Sequence, residues 1–370
     1  AFNAAPAPFD ALLSAEFNDA AHGKSYDDLL ALQSRGLNSA DVKILMADSY
    51  RRYIKLNAAL LKAAPSNLDA AHDKWRIAPE AQERIVKRIM DDMGVDFLRL
   101  SYREGAHPAC FGYGDDVFIS MHYDENDALK TILAAVHEAG HALYRQNLPR
   151  NKAGQTLSGV AGRDMDEAMA LIWEQGIARN AGFAAYLSRV IDEETQGAMP
   201  ISADAVLMRL MARGAYKDRA NADVVEYPLH GIARHDVMQQ LAAQRLSVGD
   251  LSQAFNESSI AYLGHLPPDA RAGVLQDPHW FAGEFTDFDN YFMGQHYALH
   301  LYEALSVSHG EEALNSAMAE GNFTPITNWL CQQVWQHGAL KTSQEIMAAQ
   351  GWLGAHARGY ESFISRKFFF

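Results

Sequence analysis

Residues 124–147 read DENDALKTILAAVHEAGHALYRQN, and this stretch indicates the fold class. Its apolar residues recur every three to four positions, as they do on one face of an amphipathic helix. Asp124 can cap the start of this helix, which ends before Leu148-Pro149. Immediately upstream, residues 116–123 read DVFISMHY, a β-branched and aromatic run that predicts a strand. The sequence therefore predicts a strand followed by a helix that carries two histidines.

Most of the remaining sequence also predicts helix, because Ala, Leu, Met, Gln and Glu are abundant and apolar residues recur at helical spacing. Pro79 occupies a favoured first helical position. Helices are predicted at 41–63 and 79–93, and near 164–180, 203–215, 229–246, 288–306, 324–337 and 343–366. The sequence has no internal repeat or low-complexity linker. We therefore expect a single domain over residues 1–370, with an N-terminal helical segment at about 1–75 and a core at about 76–370.

The composition excludes several classes of protein. The 370 residues include 32 Lys and Arg against 46 Asp and Glu, and the resulting net charge of −14 disfavours nucleic-acid binding. Apolar stretches are short and interrupted by charges, so we expect no membrane span. Cys110 and Cys331 are too few for a disulfide framework. The first residues lack the pattern of a signal peptide, but the chain starts at Ala1, so the removal of upstream residues stays open. We expect a cytoplasmic protein.

His137, Glu138 and His141 form an H-E-x-x-H motif. Two histidines four residues apart project from the same helix face, one turn apart, so both imidazoles can reach one ion. Glu138 lies about 100° around the helix from His137, where it can address a metal-bound water. A catalytic zinc site uses three protein ligands and keeps one open position. The alternative is a packed or surface helix with two incidental histidines.

A third ligand is expected on another element. Residues 164–174, DMDEAMALIWE, predict a second helix, and Glu167 follows His141 by 26 residues. Two histidines and a distant helical glutamate form one of the known catalytic zinc sets. Glu174, two turns further along the same face, is an alternative ligand. Asp164 or Asp166 is an alternative support for a ligand histidine.

Several motifs carry a family resemblance. Residues 137–149, HEAGHALYRQNLP, resemble the active-site helix of the carboxypeptidase Taq family, metallocarboxypeptidases of the HExxH type. Residues 273–280, GVLQDPHW, fit its GxxQDxHW motif, and residues 218–230, DRANADVVEYPLH, resemble its IRxxAD motif. His107-Pro108 followed by residues 115–127, DDVFISMHYDEND, resembles its HPF and DxRxT motifs. The resemblance extends in order from about residue 70 to the end.

The resemblance implies a fold and an activity. The fold is mainly α, a large helical zincin-type metallopeptidase domain with a small β-strand region beside a deep substrate groove. The activity is metal-dependent hydrolysis of C-terminal residues from peptides, with His137, His141 and Glu167 as metal ligands and Glu138 as the base. Zn²⁺ is the expected cofactor, and Co²⁺ is also compatible with the family. The family further implies a homodimer.

The other site residues follow from the motifs. Tyr291 and His279 are the expected catalytic partners for the oxyanion, with core packing as the alternative for both. Arg219 is expected to bind the C-terminal carboxylate of the substrate, unless it pairs with Asp218 or Asp223. His230 and Tyr227 are further substrate-binding candidates. If residues 116–123 lie beside the groove, they are expected to pair with the substrate backbone as an added strand.

Departures from the family motifs open alternatives. Phe118 stands where the family has arginine, Ser120 where it has threonine and Ala109 where it has phenylalanine. Asp166 replaces the histidine that precedes the third ligand, and the N-terminal region is short. These changes favour, as the second hypothesis, an HExxH oligopeptidase with relaxed recognition of the peptide end. A third hypothesis is a catalytically silent peptide-binding relative.

Overall fold

The computed structural model of the chain describes residues 24–63, 74–152, 155–212, 219, 222–243, 245–277, 279–354 and 358–368. For residues 57–63, 152, 156 and 281 only the backbone is described. Part of the N-terminal segment predicted at about 1–75 therefore lies outside the described residues, as does Asp218.

The described residues are mainly helical, which confirms the predicted fold class. The helices before residue 200 are α1 Tyr26–Gln33, α2 Ser39–Ala63, α3 Pro79–Met93, α4 Ala128–Gln146, α5 Arg163–Leu171 and α6 Ala181–Glu194. The later helices are α7 Ala203–Leu210, α8 Tyr227–Ala242, α9 Leu251–Leu263, α10 His279–Ala282, α11 Asp287–His309, α12 Glu311–Ala319, α13 Thr324–Gln333, α14 Ser343–Ala349 and α15 Gly359–Phe368. Among these helices, none combines the length and the apolarity needed to cross a membrane.

The predicted helix bounds agree best with the structure where residues at the helix ends themselves mark the start and the end. Helix α3 has the predicted bounds, with a proline at its start and Gly94 in the left-handed conformation (φ 98°) at its end. The predicted helix near 164–180 is α5 followed by a π-helical turn, Ile172–Ile177. Helices α6, α9, α10 and α12 were not predicted, and the helix predicted near 343–366 is two helices, α14 and α15.

Three strands form one small sheet in the order β1-β3-β2. The strands are β1 Leu100–Glu104, β2 Ala109–Tyr113 and β3 Asp116–Met121. Strand β3, which the sequence predicted, pairs in parallel with β1 and antiparallel with β2. Because both edges of β3 are already paired, the expectation that residues 116–123 receive an added strand is wrong. The free edges of this sheet belong to β1 and β2.

The sheet and the histidine-bearing helix share a core. Val117, Ile119 and Met121 alternate along β3 and are buried, and α4 packs against β2 and β3. Phe118 points to the opposite face, where its ring stacks on Phe111 at 6.3 Å. This alternation is the ordinary consequence of the two-residue period of a strand. The buried face of the sheet therefore packs against α4 and supports it.

The chain divides into two compact units. Unit 1 comprises Ala1–Ala59, Gly214–Met293 and Gly354–His356, and its described core lies between α8, α9 and the start of α11. Unit 2 comprises Leu60–Arg213, Gly294–Leu353 and Ala357–Phe370 and contains the sheet and α3 to α7. The assignment of the whole chain to a single domain stays a prediction.

Candidate metal centre

Helix α4 presents the two motif histidines on one face. The His137 and His141 rings lie 5.0 Å apart at their centroids, nearly perpendicular at 78°. The side chains are 21% and 12% exposed, whereas Val136 and Gly140, on the packed side of the helix, are buried. The helix therefore keeps its apolar side in the core and directs both imidazoles to a partly accessible surface.

Helix α5 brings Glu167 to the same point. One ligand atom from each of His137, His141 and Glu167 lies within 4.8 Å of the others, and Nε2 of His141 is 3.8 Å from Oε2 of Glu167. Donors that share one zinc ion at about 2.0–2.2 Å lie roughly 3.3 Å apart. Two imidazoles and one carboxylate at this spacing fit a catalytic zinc or similar divalent ion after a small contraction.

Small residues allow the helices to approach. A Cβ added to Gly140, inside the motif, would lie 2.5 Å from the carbonyl oxygen of Met169 and 2.8 Å from Cα of Ala170 on α5. A Cβ on Gly294 would lie 2.9 Å from Cβ and Cγ of Glu167. A larger residue at position 140 would push apart α4 and α5, which carry the three donors, and one at position 294 would displace Glu167.

The Glu174 carboxylate supports His137. Its Oε2 lies 2.9 Å from Nδ1 of His137, so the other ring nitrogen, Nε2, is left for a metal. Glu174 belongs to the π-helical turn Ile172–Ile177, a type of distortion common at functional sites. A carboxylate on the distal nitrogen orients a ligand histidine and raises its basicity. This contact favours the support role for Glu174 over the ligand role considered for it.

Asp166 lies beside His141 at ion-pair distance, without the hydrogen bond that joins Glu174 to His137. Its Oδ1 lies 3.2 Å from Nδ1 of His141, and both of its oxygens face Arg145, at 2.6 Å from Nη2 and 3.3 Å from Nε. Asp164 instead accepts a 2.6 Å hydrogen bond from Ser343. Of the two aspartates considered as supports, the one in contact with a ligand histidine is therefore Asp166.

The electrostatics of this cluster suit a base and a cation. Burial raises the pKa of Glu138, and the nearby histidines only partly offset this effect. Burial also works against a charged His137, but the hydrogen bond from Glu174 and the surrounding carboxylates prevail and raise its pKa to about 10. A metal at His137 would therefore compete with a proton for the ring.

In unit 1 the structure brings together the two motifs that contain Arg219 and His279. The backbone N–H of Arg219 donates to Oε1 of Gln276 at 2.9 Å, and its Nε lies 3.2 Å from Oδ1 of Asp277. Its guanidinium lies 4.7 Å from the centre of the Tyr291 ring. The aspartate paired with Arg219 is thus Asp277, whereas Asp223 accepts hydrogen bonds from backbone N–H groups near the start of α8.

His279 and Tyr291 are direct neighbours, with Nε2 2.8 Å from the tyrosine hydroxyl. His279, Glu284 and Asp287 also form a second group of metal-type donors within 4.8 Å. This group lacks the helical i, i+4 histidine pair and the adjacent glutamate of the HExxH motif. The group on α4 and α5 has both, and it therefore matches the ligand set predicted from the sequence.

Sequence reasoning missed Arg234, a fully buried arginine on α8. Its Nε lies 2.6 Å from Oδ2 of Asp277, so Asp277 is paired with two arginines. His230 is also fully buried, with Nδ1 3.3 Å from Nη1 of Arg234, and burial together with the arginines lowers its pKa well below the usual value. Tyr227 begins α8 and is buried. No local pattern marks a buried arginine whose partner is 43 residues away.

Comparisons with known proteins identify the family of the chain. The profile of the family described as Carboxypeptidase Taq (M32) metallopeptidase matches residues 13–368. "Carboxypeptidase 1" of Bacillus subtilis is 29% identical over 324 residues, which cover 87% of this chain and 64% of that protein. The chain thus spans less than two thirds of the length of this relative.

Solved structures show the same fold. A crystal structure named BsuCP matches with a TM-score of 0.87 and 27% identity over 98% of this chain and 73% of the other. An M32 carboxypeptidase from Deinococcus radiodurans matches with a TM-score of 0.81 and 25% identity over 98% and 73%. The HExxH helix, the nearby glutamate and these matches lead to one assignment: the chain belongs to the carboxypeptidase Taq (M32) metallopeptidase family.

Proposed function

We propose that the chain is a metal-dependent carboxypeptidase that releases C-terminal residues from peptides. The observation that carries the proposal is the convergence of His137, His141 and Glu167 within 4.8 Å, next to the buried Glu138. The three residues would hold Zn²⁺, or Co²⁺ in its place. The names of the relatives, which are carboxypeptidases, support the same reaction.

Different residues of the chain would perform different steps of peptide hydrolysis. A bound zinc ion would lower the pKa of its water and polarise the scissile carbonyl. Glu138 takes the proton from the attacking water and passes it to the leaving amine. The raised pKa of Glu138 favours this role, because it brings the carboxylate nearer to the operating pH. Glu174 and Asp166 hold the ligand histidines by their distal nitrogens.

For substrate recognition we propose Arg219 as the residue that binds the C-terminal carboxylate. Its Nε is held by Asp277, and among the described residues its two terminal nitrogens have no hydrogen-bond partner. Tyr291 and His279 are the proposed donors to the oxyanion. Because Tyr227 and His230 are buried and His230 faces Arg234, we propose that they position the arginines.

The experiment uses a peptide with a blocked N-terminus. The purified, zinc-loaded chain should release single amino acids from the C-terminus, measured by mass spectrometry over time. A chelator should stop the release and added zinc should restore it. Peptide cleavage that ignores chelators would contradict the proposal, and so would a chain that binds zinc without hydrolysing any peptide, which is the result expected of a silent binding relative.

The second candidate is an HExxH oligopeptidase. The observation that favours it is Phe118, which stacks on Phe111 at the position where the family has arginine, so the strand offers no charge there to a peptide end. This enzyme would release internal fragments instead of single residues. It would also cleave a C-terminally amidated peptide as fast as the free acid.

A homodimer is also proposed, from the family resemblance, and a cytoplasmic location is proposed separately. Light scattering on the purified chain tests the assembly, with a mass near twice 40.9 kDa as the expected result. A mass near 40.9 kDa would contradict the dimer. Localisation by microscopy of the tagged natural protein tests the compartment.

A further inference from the structure

The two ligand histidines of the proposed site have unequal support. Glu174 contacts His137 as an isolated carboxylate: no Lys or Arg within the described part of the chain forms an ion pair with it. Asp166 contacts His141 and is held by Arg145 through two N–O contacts. The side chains of His141, Asp166 and Arg145 are each at most 13% exposed.

Arg145 also touches strand β2 at two points and the residue that follows the strand, Gly114, at a third. Its Nη1 donates to the carbonyl oxygen of Cys110 at 2.7 Å, and its guanidinium lies 5.4 Å from the centre of the Tyr113 ring. Its backbone carbonyl accepts from the N–H of Gly114 at 3.0 Å. Since Cys110 pairs with Ile119 on β3, this arginine holds the outer edge of the sheet.

These contacts form a continuous chain from a metal ligand to an edge strand: His141, Asp166, Arg145 and the carbonyl of Cys110. A planar guanidinium that binds a carboxylate through two nitrogens fixes the plane of that carboxylate. The fixed carboxylate in turn limits the rotation of the His141 ring. Any ion that holds His141 in place therefore favours the arrangement of Arg145 that also holds β2.

We infer that Arg145 and Asp166 are positioning residues that couple the His141 ligand to strand β2, so that metal affinity and the order of β2 depend on each other. The inference rests on the proposed function, because it takes His141 as a metal ligand. Coupling of this kind is reciprocal. If an ordered β2 raises the affinity for the metal, the bound metal raises the equilibrium constant for ordering β2 by the same factor.

The test uses the thiol of Cys110, which is buried on β2, as a reporter of strand opening. In a Cys331→Ser background, the rate of labelling by Ellman's reagent is measured with and without zinc. The zinc dissociation constant is measured in parallel by competition with a chromogenic chelator. Bound zinc should slow the labelling of Cys110 about tenfold or more.

Arg145→Met and Asp166→Asn should each raise the zinc dissociation constant roughly 10–100-fold, the range found when partners of metal ligands are removed. At saturating zinc they should also lose most of the protection of Cys110. Arg145→Lys keeps the charge without the fork and should lie between these variants and the unchanged chain. It keeps the test available if Arg145→Met does not fold.

Glu174→Gln is the matched control, since it removes the support of the other histidine. It should weaken zinc binding but retain the zinc-dependent protection of Cys110. An unchanged zinc dissociation constant or unchanged protection in folded Arg145→Met and Asp166→Asn would overturn the inference while the proposed function stands. A failure of the unchanged chain to bind zinc would overturn both.

Discussion

The metal centre of unit 2 and the arginine cluster of unit 1 both bury carboxylates, but they neutralise them differently. In the described part of unit 2, several carboxylates lie around His137 and His141, and Asp166 among them is paired with Arg145; they are Glu138, Glu167, Glu174 and Asp166. In unit 1, the single carboxylate of Asp277 lies between Arg219 and Arg234, at 3.2 and 2.6 Å.

The difference indicates which charge each region can accept. An excess of carboxylates around two imidazoles is stabilised by a divalent cation, which fits the proposed zinc site. Two guanidiniums around one carboxylate leave a net positive charge. Burial and the positive charge of Arg219 both lower the pKa of Arg234. Such a cluster suits a second carboxylate, which is the group at the end of a peptide.

The largest expected effect concerns the base of the metal centre. Glu138→Gln should lower kcat for peptide release about 10³-fold, equivalent to ~4 kcal/mol, because the amide cannot take the proton of the attacking water. Zinc content should remain that of the unchanged chain, since the substitution spares the three ligands. Retained hydrolysis would show that Glu138 is not the base. The excess of carboxylates would then have no role in proton transfer.

The next effect concerns stability and belongs to unit 1. Asp277→Asn should lower the free energy of unfolding by about 3 kcal/mol, because the buried guanidinium of Arg234 and the partly buried one of Arg219 lose their counter-charge. Urea unfolding followed by circular dichroism measures it. Glu83→Gln, at the exposed Lys87–Glu83 pair, is the control and should cost about 0.5 kcal/mol or less. Equal losses of unfolding free energy in the two variants would show that the pairs of Asp277 contribute no more to stability than an exposed ion pair.

A smaller effect is expected for recognition of the peptide end. Amidation of the substrate C-terminus should slow release about 30-fold, equivalent to ~2 kcal/mol, because a charge-assisted pair with Arg219 is lost. In Arg219→Met the free acid and the amide should react at the same reduced rate. A full preference for the acid in that variant would assign carboxylate binding to another residue.

The smallest effect is a pH dependence at the buried His235–Asp289 pair, whose Nδ1–Oδ1 distance is 2.6 Å. Burial lowers the pKa of His235, but the charge of Asp289 outweighs it and the net pKa is raised. The pair therefore stabilises the fold fully below the unfolded pKa of about 6.5 and loses this contribution as pH rises through the folded pKa. His235→Gln should accordingly cost more unfolding free energy at pH 5.5 than at pH 9. A pH-independent cost would contradict the charged pair.

The local parts of the site could be predicted from the sequence. Spacing alone put His137 and His141 on one helix face, and the acidic helical stretch after them contained Glu167. Strand β3 was predicted from its composition, whereas β1 and β2 were missed because short, mixed strands carry no clear alternation. Spacing could not choose between Glu167 and Glu174 as the ligand, since both lie on the same helix face. It also could not choose between Asp164 and Asp166 as the support of a ligand histidine.

What the sequence determined by itself is the chemistry that repeats over three or four residues: the histidine pair, its adjacent glutamate and the helices that carry them. Such patterns can be recognised in a sequence because residues three or four apart project from the same face of a helix. The tertiary structure decided the rest: which aspartate meets His141, that Arg145 joins it to strand β2, and that Arg234, 43 residues from Asp277, shares that carboxylate with Arg219. These contacts depend on how elements distant in sequence pack, and no local spacing encodes that packing.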